Sequence, residues 1–316
     1  MFGRRAGLFS ALAAVMLLLG GCGKTKTFSF PVIENDAVTQ TEVPEGTTLP
    51  GRSLVYTAAG DVFYAEDYAV AEPLTGVISD PPTRCVTDAA ALAREAMDAG
   101  ERVLLIYIDG LGYERFRDAA AAGEAPNLAA LTLEKCASVY PTITPVNYAA
   151  MVSGLPPAEN GVDRRGVHAL TCETIFSDAA ARSLVAFAAE GDSQILALPG
   201  AELELCPDLN GDGTVDDEIF ETAMAHLDAD LLFVHFHSVD DASHENGPWS
   251  DAAKAALTQA DAWCGALLSA WDGAVVIAAD HGQHEQDGTG DAAYADRRGT
   301  HGDFAPSDIF TPFLTR

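Results

Sequence analysis

Basic side chains are scarce in this chain: 18 Lys and Arg stand against 47 Asp and Glu, a formal charge of −29 over 316 residues. Such a surface repels polyanions, so neither nucleic acid nor an anionic membrane face is an expected partner. No obligate protein partner is expected either. Cysteine is also sparse, with six residues and no CxxC spacing, which argues against a thiolate metal site. Cys22 aside, the remaining five are Cys85, Cys136, Cys172, Cys206 and Cys264. Cys172 with Cys206 is the first pair to test for a disulfide, and buried free thiols are the alternative. There is no internal repeat.

What the chain does have is hydrophobic residues, 48% of the total, enough for the core of one large α/β domain. Arg4 and Arg5 precede an apolar stretch from Ala6 to Leu19, too short to span a bilayer comfortably but laid out as a signal peptide. Leu19-Gly20-Gly21-Cys22 resembles a bacterial lipobox. That resemblance implies removal of residues 1–21 and a lipid on Cys22, which anchors an exported protein to the outer face of the cell membrane. The alternative is a plain signal or membrane anchor. Lys24 to Pro50 mixes Thr, Pro, Glu and Gly with little periodicity, so residues 22–50 are expected as a flexible tether and 51–316 as the folded domain.

Val103–Ile108 is a continuous apolar run that ends in Asp109, as a fully buried parallel strand does. Leu231–Phe236 and Ala274–Ala279 repeat the pattern, and between them Asp251–Trp271 carries apolar residues at helical spacing. The alternation predicts an α/β fold, a mostly parallel central sheet with helices on both faces. Residues 51–85 read as a hairpin or edge element. In such sheets ligands bind beyond the carboxyl ends of the strands, where Asp109, Asp240 and Asp280 are expected to meet.

Five short segments carry the chemistry: IYIDG with Asp109, YPTITPVN with Thr144, FHSVDDASH with Asp240 and His244, IAADHG with Asp280 and His281, and GTHGDF with His301. Carboxylate and imidazole donors suit zinc. Each segment alone is weak evidence, whereas their joint order is not. In residue type, order and local spacing they resemble the type I phosphodiesterase/nucleotide pyrophosphatase branch of the alkaline phosphatase superfamily. The resemblance implies two Zn2+, or other divalent metals, one held by Asp109, Asp280 and His281 with Thr144, the other by Asp240, His244 and His301. It implies Thr144 as nucleophile through a phospho-threonine intermediate, and Asn147 as a donor to a phosphate oxygen. Thr142 is the rival nucleophile.

The expected activity is hydrolysis of a phosphodiester or pyrophosphate in a small phosphorylated substrate. A phosphomonoesterase or phosphonate hydrolase on the same core is the close alternative, and a non-catalytic metal-binding envelope lipoprotein the distant one. A C/S-x-P-x-R nucleophile segment is lacking, which argues against a sulfatase. Val146, Tyr148 and Glu159-Asn160-Gly161 depart from the family pattern, so Tyr148 and Arg164, with its neighbour Arg165, are candidate substrate contacts. His235 and His237 alternate on a strand and share one side, as core histidines or as supports behind the metals. Residues 208–218 resemble a calcium loop, with Asp208, Asn210, Asp212 and Asp216 as candidate Ca2+ ligands; the twelfth position holds Ile219 in place of an acid. A solvated acidic loop is the alternative.

Overall fold

In a computed structural model, which describes residues 26–286 and 297–316, every side chain of Val103–Ile108 is buried. Val103, Leu105 and Tyr107 enter one apolar cluster and Leu104, Ile106 and Ile108 the other, so this strand has no solvent face. The first five strands are β1 (Thr27–Glu34), β2 (Ala37–Pro44), β3 (Thr48–Thr57), β4 (Val62–Ala69) and β5 (Leu74–Ser79). They form a separate sheet in the order β2-β1-β5-β3-β4. The central sheet contains β6 (Arg84–Cys85), β7 (Val103–Ile108), β8 (Thr132–Ala137), β9 (Ala186–Glu190), β10 (Glu202–Leu205), β11 (Leu231–Phe236) and β12 (Ala274–Ala278). After a short ribbon of β13 (His284–Glu285) and β14 (Gly299–Thr300), β15 (Phe310–Thr315) returns to it. The order is β10-β9-β11-β7-β12-β15-β8-β6, and among the described strands β15 alone runs against the others.

The helices are α1 (Asp88–Asp98), α2 (Tyr113–Ala122), α3 (Thr144–Ser153), α4 (Pro157–Asn160), α5 (Ile175–Ala181), α6 (Asp216–Ala225), α7 (Ser238–Asn246), α8 (Asp251–Ala270) and α9 (Pro306–Ile309). Side chains of α1, α3 and α5 fill the cluster on one face of the central sheet, those of α2, α6 and α8 the cluster on the other. In α8, Leu257, Ala260, Cys264 and Leu267 are buried at helical spacing, and the Ser250 hydroxyl caps the start by accepting from the Ala253 N–H. The fold is the expected mostly parallel sheet between two helical layers.

Two expectations differ. The segment expected as a tether folds from Thr27 onward, as β1 and β2. Phe28 and Phe30 alternate with exposed neighbours in β1, and the hairpin turns at Asn35-Asp36, both at positive φ, as a two-residue turn requires. This sheet docks on the central one through Ile33, Leu54, Tyr56 and Ile78 against Ala137, Ile309 and Phe310. The Tyr56 hydroxyl adds a 2.9 Å bond to the Ser138 carbonyl. The proposed disulfide is not formed: Cys172 and Cys206 are free thiols, like Cys85, Cys136 and Cys264. The signal segment and Cys22 lie outside the described residues. Among the described residues no helix is long and apolar enough to cross a membrane.

Candidate metal centre

Four adjacent parallel strands, β9, β11, β7 and β12, bring their carboxyl ends side by side, and each delivers acids or histidines there. Neighbouring strands lie about 4.8 Å apart, so donors that follow them fall within one site. Asp109 follows β7, Asp280 and His281 follow β12, and α7, which begins just after β11, carries Asp240 and His244 one turn apart. His301 arrives from the end of β14.

His281 sits at the centre. Its Nε2 is 2.9 Å from Asp280 Oδ2, 3.5 Å from Asp109 Oδ1 and 3.5 Å from Thr144 Oγ1. Tetrahedral zinc with bonds of about 2.0–2.1 Å spaces its donors about 3.3 Å apart, so this set fits one ion. Asp240 Oδ2 lies 3.2 Å from His244 Nε2, and Asp240 Oδ1 lies 4.0 Å from His301 Nε2. The His281 and His301 rings stack at 3.6 Å, which places the two sets against each other. Asp109 Oδ1 is buried without a hydrogen-bond partner, an oxygen that a cation would satisfy.

The histidines are oriented for coordination. His244 Nδ1 lies 2.9 Å from the Gly299 carbonyl, His301 Nδ1 2.8 Å from that of Thr142, and His281 Nδ1 3.1 Å from that of Gly282. A carbonyl only accepts, so each Nδ1 carries a proton, which leaves Nε2 as the coordinating nitrogen of each ring. Gln283 adds its amide to Asp240, donating to both its carbonyl and its carboxylate.

Charge is unbalanced among these buried groups. Burial, then Asp280 and Asp240, push Asp109 well above the usual carboxylate range. Burial opposes ionisation of Asp280 too, but contact with His281 prevails and holds it at about 2. Burial is likewise outweighed at Asp240, which His244, His301 and His281 pull below the usual range. Burial alone would lower His281, yet Asp280, Asp109 and Asp240 raise it to about 10. Burial and the charge on His281 drive His301 down to about 3. A raised His281 thus sits among three acidic side chains, of which Asp109 is itself raised.

Thr144 is the first residue of α3, with Pro145 beside it in the first turn and Ile143 in the capping place. Its hydroxyl is free of the cap role and faces His281. The rival Thr142 is fully buried, and its hydroxyl donates to the Asp303 carbonyl. Asn147 differs from expectation. Its Oδ1 accepts from the Val139 N–H at 2.8 Å and its Nδ2 donates to the carbonyls of Pro141 and Ile143. The amide pins the 139–143 loop beneath Thr144 instead of reaching toward a phosphate.

Neither proposed substrate contact faces the site. Tyr148 is buried, stacked on Phe233 at 5.1 Å and edge-on to Tyr107, and Arg164 is exposed and paired with Asp163. Arg165 does reach it, with Nη2 3.5 Å from His301 Nε2. Of the alternating histidines, His235 lies 3.4 Å from Asp109 and 2.6 Å from Glu190, and His237 lies 3.1 Å from the same Glu190 oxygen. Their cationic forms outweigh burial and hold Glu190 below the usual range. Glu190 was not expected here, though it ends a buried strand just as Asp109 does. Gln283, two residues past His281, was also missed. In the acidic loop Asp216 turns away from Asp208, Asn210 and Asp212 and accepts instead from the main-chain N–H groups of His237 and Ser238.

The model of the family described as type I phosphodiesterase/nucleotide pyrophosphatase matches residues 103–166 and 178–297, more than half of the chain. The chain belongs to this family. The seven donors above are its candidate metal ligands. No curated protein matches the chain by sequence. Among solved structures it resembles human ectonucleotide pyrophosphatase/phosphodiesterase 5, with a TM-score of 0.51 at 15% identity over 68% of this chain and 88% of that one. An inactive form of the murine counterpart, in complex with AMP, gives a TM-score of 0.50 at 13% identity over the same shares, 68% and 88%. Phosphonoacetate hydrolase from Sinorhizobium meliloti gives 0.49 at 18% identity over 60% of this chain, which spans 59% of that enzyme. At these identities the likeness is one of fold.

Metal uptake at such a site must displace a proton. The raised pKa of His281 keeps it protonated in the metal-free protein throughout the neutral range, and coordination needs the lone pair that this proton occupies. Apparent zinc affinity should therefore rise by at least about tenfold per pH unit between pH 6 and 9, and fall correspondingly on acidification. Competition titrations against a chelator of known affinity would measure this slope; a pH-independent affinity would contradict the charge balance described.

Proposed function

We propose that the chain is an exported two-metal phosphodiesterase or pyrophosphatase that works through a phospho-threonine at Thr144. The observation that carries this reading is a hydroxyl at the head of a helix, 3.5 Å from His281 Nε2, the residue shared by two candidate metal groups, Asp109-Asp280-His281 and Asp240-His281-His301. A binding protein has no use for it. Asp109, Asp280, His281 and Thr144 would hold one divalent cation and Asp240, His244 and His301 the other, zinc being favoured by the mixed nitrogen and oxygen donors. Bound there, the cations would lower the pKa of the Thr144 hydroxyl and balance charge on the phosphoryl oxygens.

The side chains divide the remaining work. Thr144 Oγ1 bonds to phosphorus as the ester or anhydride oxygen leaves from the opposite side with its electron pair, and its proton passes to solvent or to the leaving oxygen. Water later breaks the phosphorus–Oγ1 bond and restores the hydroxyl. Asn147 fixes the loop so that Oγ1 keeps its position, and proximity of this kind accounts for a large share of catalysis. Arg165, beside His301, supplies a guanidinium fork for a non-bridging oxygen. The first turn of α3 adds its positive end. Lipidation at Cys22 would hold this domain at the outer membrane face.

Turnover of bis-p-nitrophenyl phosphate and p-nitrophenyl phosphate by zinc-loaded protein tests the reading. Thr144→Ala should lower kcat by about a thousandfold or more on the preferred ester while Thr144→Ser retains part of the activity. Equal turnover by Thr144→Ala would sink the covalent route, and no turnover of any ester by the metal-loaded wild type would favour a binding role.

A further inference from the structure

The acidic loop on the far side of β11 has no part in the chemistry above, yet its side chains are organised. Asp208 accepts from the N–H groups of Gly211 at 2.6 Å and Gly213 at 3.0 Å, Asn210 from Asp212 at 2.8 Å, and Asp212 from Thr214 at 3.0 Å. These bonds fold the loop and by themselves ask for no ion. A separate observation does. Glu218, in the first turn of α6, is only 9% exposed; its Oε1 accepts from the Leu209 N–H inside the loop at 2.9 Å, while its Oε2 is buried with no partner. Beside it Asp217 Oδ2 accepts from Asn210 Nδ2 at 2.7 Å, and Asp217 Oδ1 is buried and unpartnered in the same way. Two adjacent carboxylates, in contact with each other, thus hold the loop through one oxygen each and keep the other desolvated with no donor. Desolvated oxygens of like charge are costly together unless a cation joins them.

We propose that Asp208, Asn210, Asp212, Asp217 and Glu218 bind one calcium ion, Glu218 taking the closing role that the usual twelfth position, Ile219, cannot. The donors are all oxygens, four of them from carboxylates, which is the set a hard cation of this size selects. Gly213 stands sixth with φ of 91°, the turn such a loop needs, and Thr214 stands seventh, where a main-chain carbonyl serves as a ligand. Asp216 is not in the set. It and Thr214, whose hydroxyl lies 2.7 Å from that of Ser238, tie the loop to the start of α7, the helix that carries Asp240 and His244. An ion in the loop would thus steady one of the elements that build the phosphate site.

Isothermal calorimetry of calcium chloride into the zinc-loaded full chain tests this, with Glu218→Gln and Asp212→Asn alongside. Zinc loading occupies the other site, and zinc content confirms that both variants fold. The wild type should bind one equivalent and melt about 4–6 °C higher at a hundredfold excess over Kd. Each variant should bind at least about tenfold more weakly, since carboxylate count sets the affinity of such loops. Absence of calcium binding by the wild type, or unchanged affinity in both variants, would overturn the proposal, the latter because it places the ion elsewhere.

Discussion

Three carboxylates, Asp109, Asp240 and Asp280, are held within one nearly waterless site, and their mutual repulsion is the constraint on which the rest depends. Asp109 is 4% exposed and Asp280 not at all. Removing a charge from water is expensive, and placing like charges beside it more so. The protein without metal answers by raising both His281 and Asp109, and Asp109 Oδ1 remains without a hydrogen-bond partner. Divalent cations complete the balance, which makes the site a receptor for metal by construction.

Everything around the site preserves this tension. The central sheet fixes the acids by ending four parallel strands in one row. Carbonyls of Gly299, Thr142 and Gly282 set the histidine tautomers, and Gln283 holds Asp240. Behind Asp109, His235 and Glu190 form a second line of charge, so that Asp109 is held from the protein side as well as toward the metal. Asn147 belongs to the same logic: its amide bonds hold the 139–143 loop below Thr144.

The sheet and the gathering of these acids and histidines at its strand ends were legible in the sequence because both leave strong local signals. A buried parallel strand is a run with no polar face, and an acid that ends it has nowhere to go but the ligand side. Glu190 ends such a run too, yet three of the five residues of Ala186–Glu190 are alanine, which reads equally as helix. β1 was hidden by Thr and Pro among its residues, although Phe28 and Phe30 alternate and Asn35-Asp36 is a hairpin turn; period two over so short a span competes poorly with a composition typical of linkers. The roles of Asn147, Tyr148 and Arg164 were beyond reach for another reason. A helix's place in a chain does not tell which way each side chain turns, and the loop below Thr144 took the Asn147 amide first.

The most direct measurement is the metal content of active protein. Elemental analysis after exhaustive dialysis should find two transition-metal ions per chain, with Asp280→Asn retaining no more than one and His301→Ala likewise, because under the proposed reading the two sets would hold separate ions. Fully active protein with fewer than two transition-metal ions per chain would contradict the account.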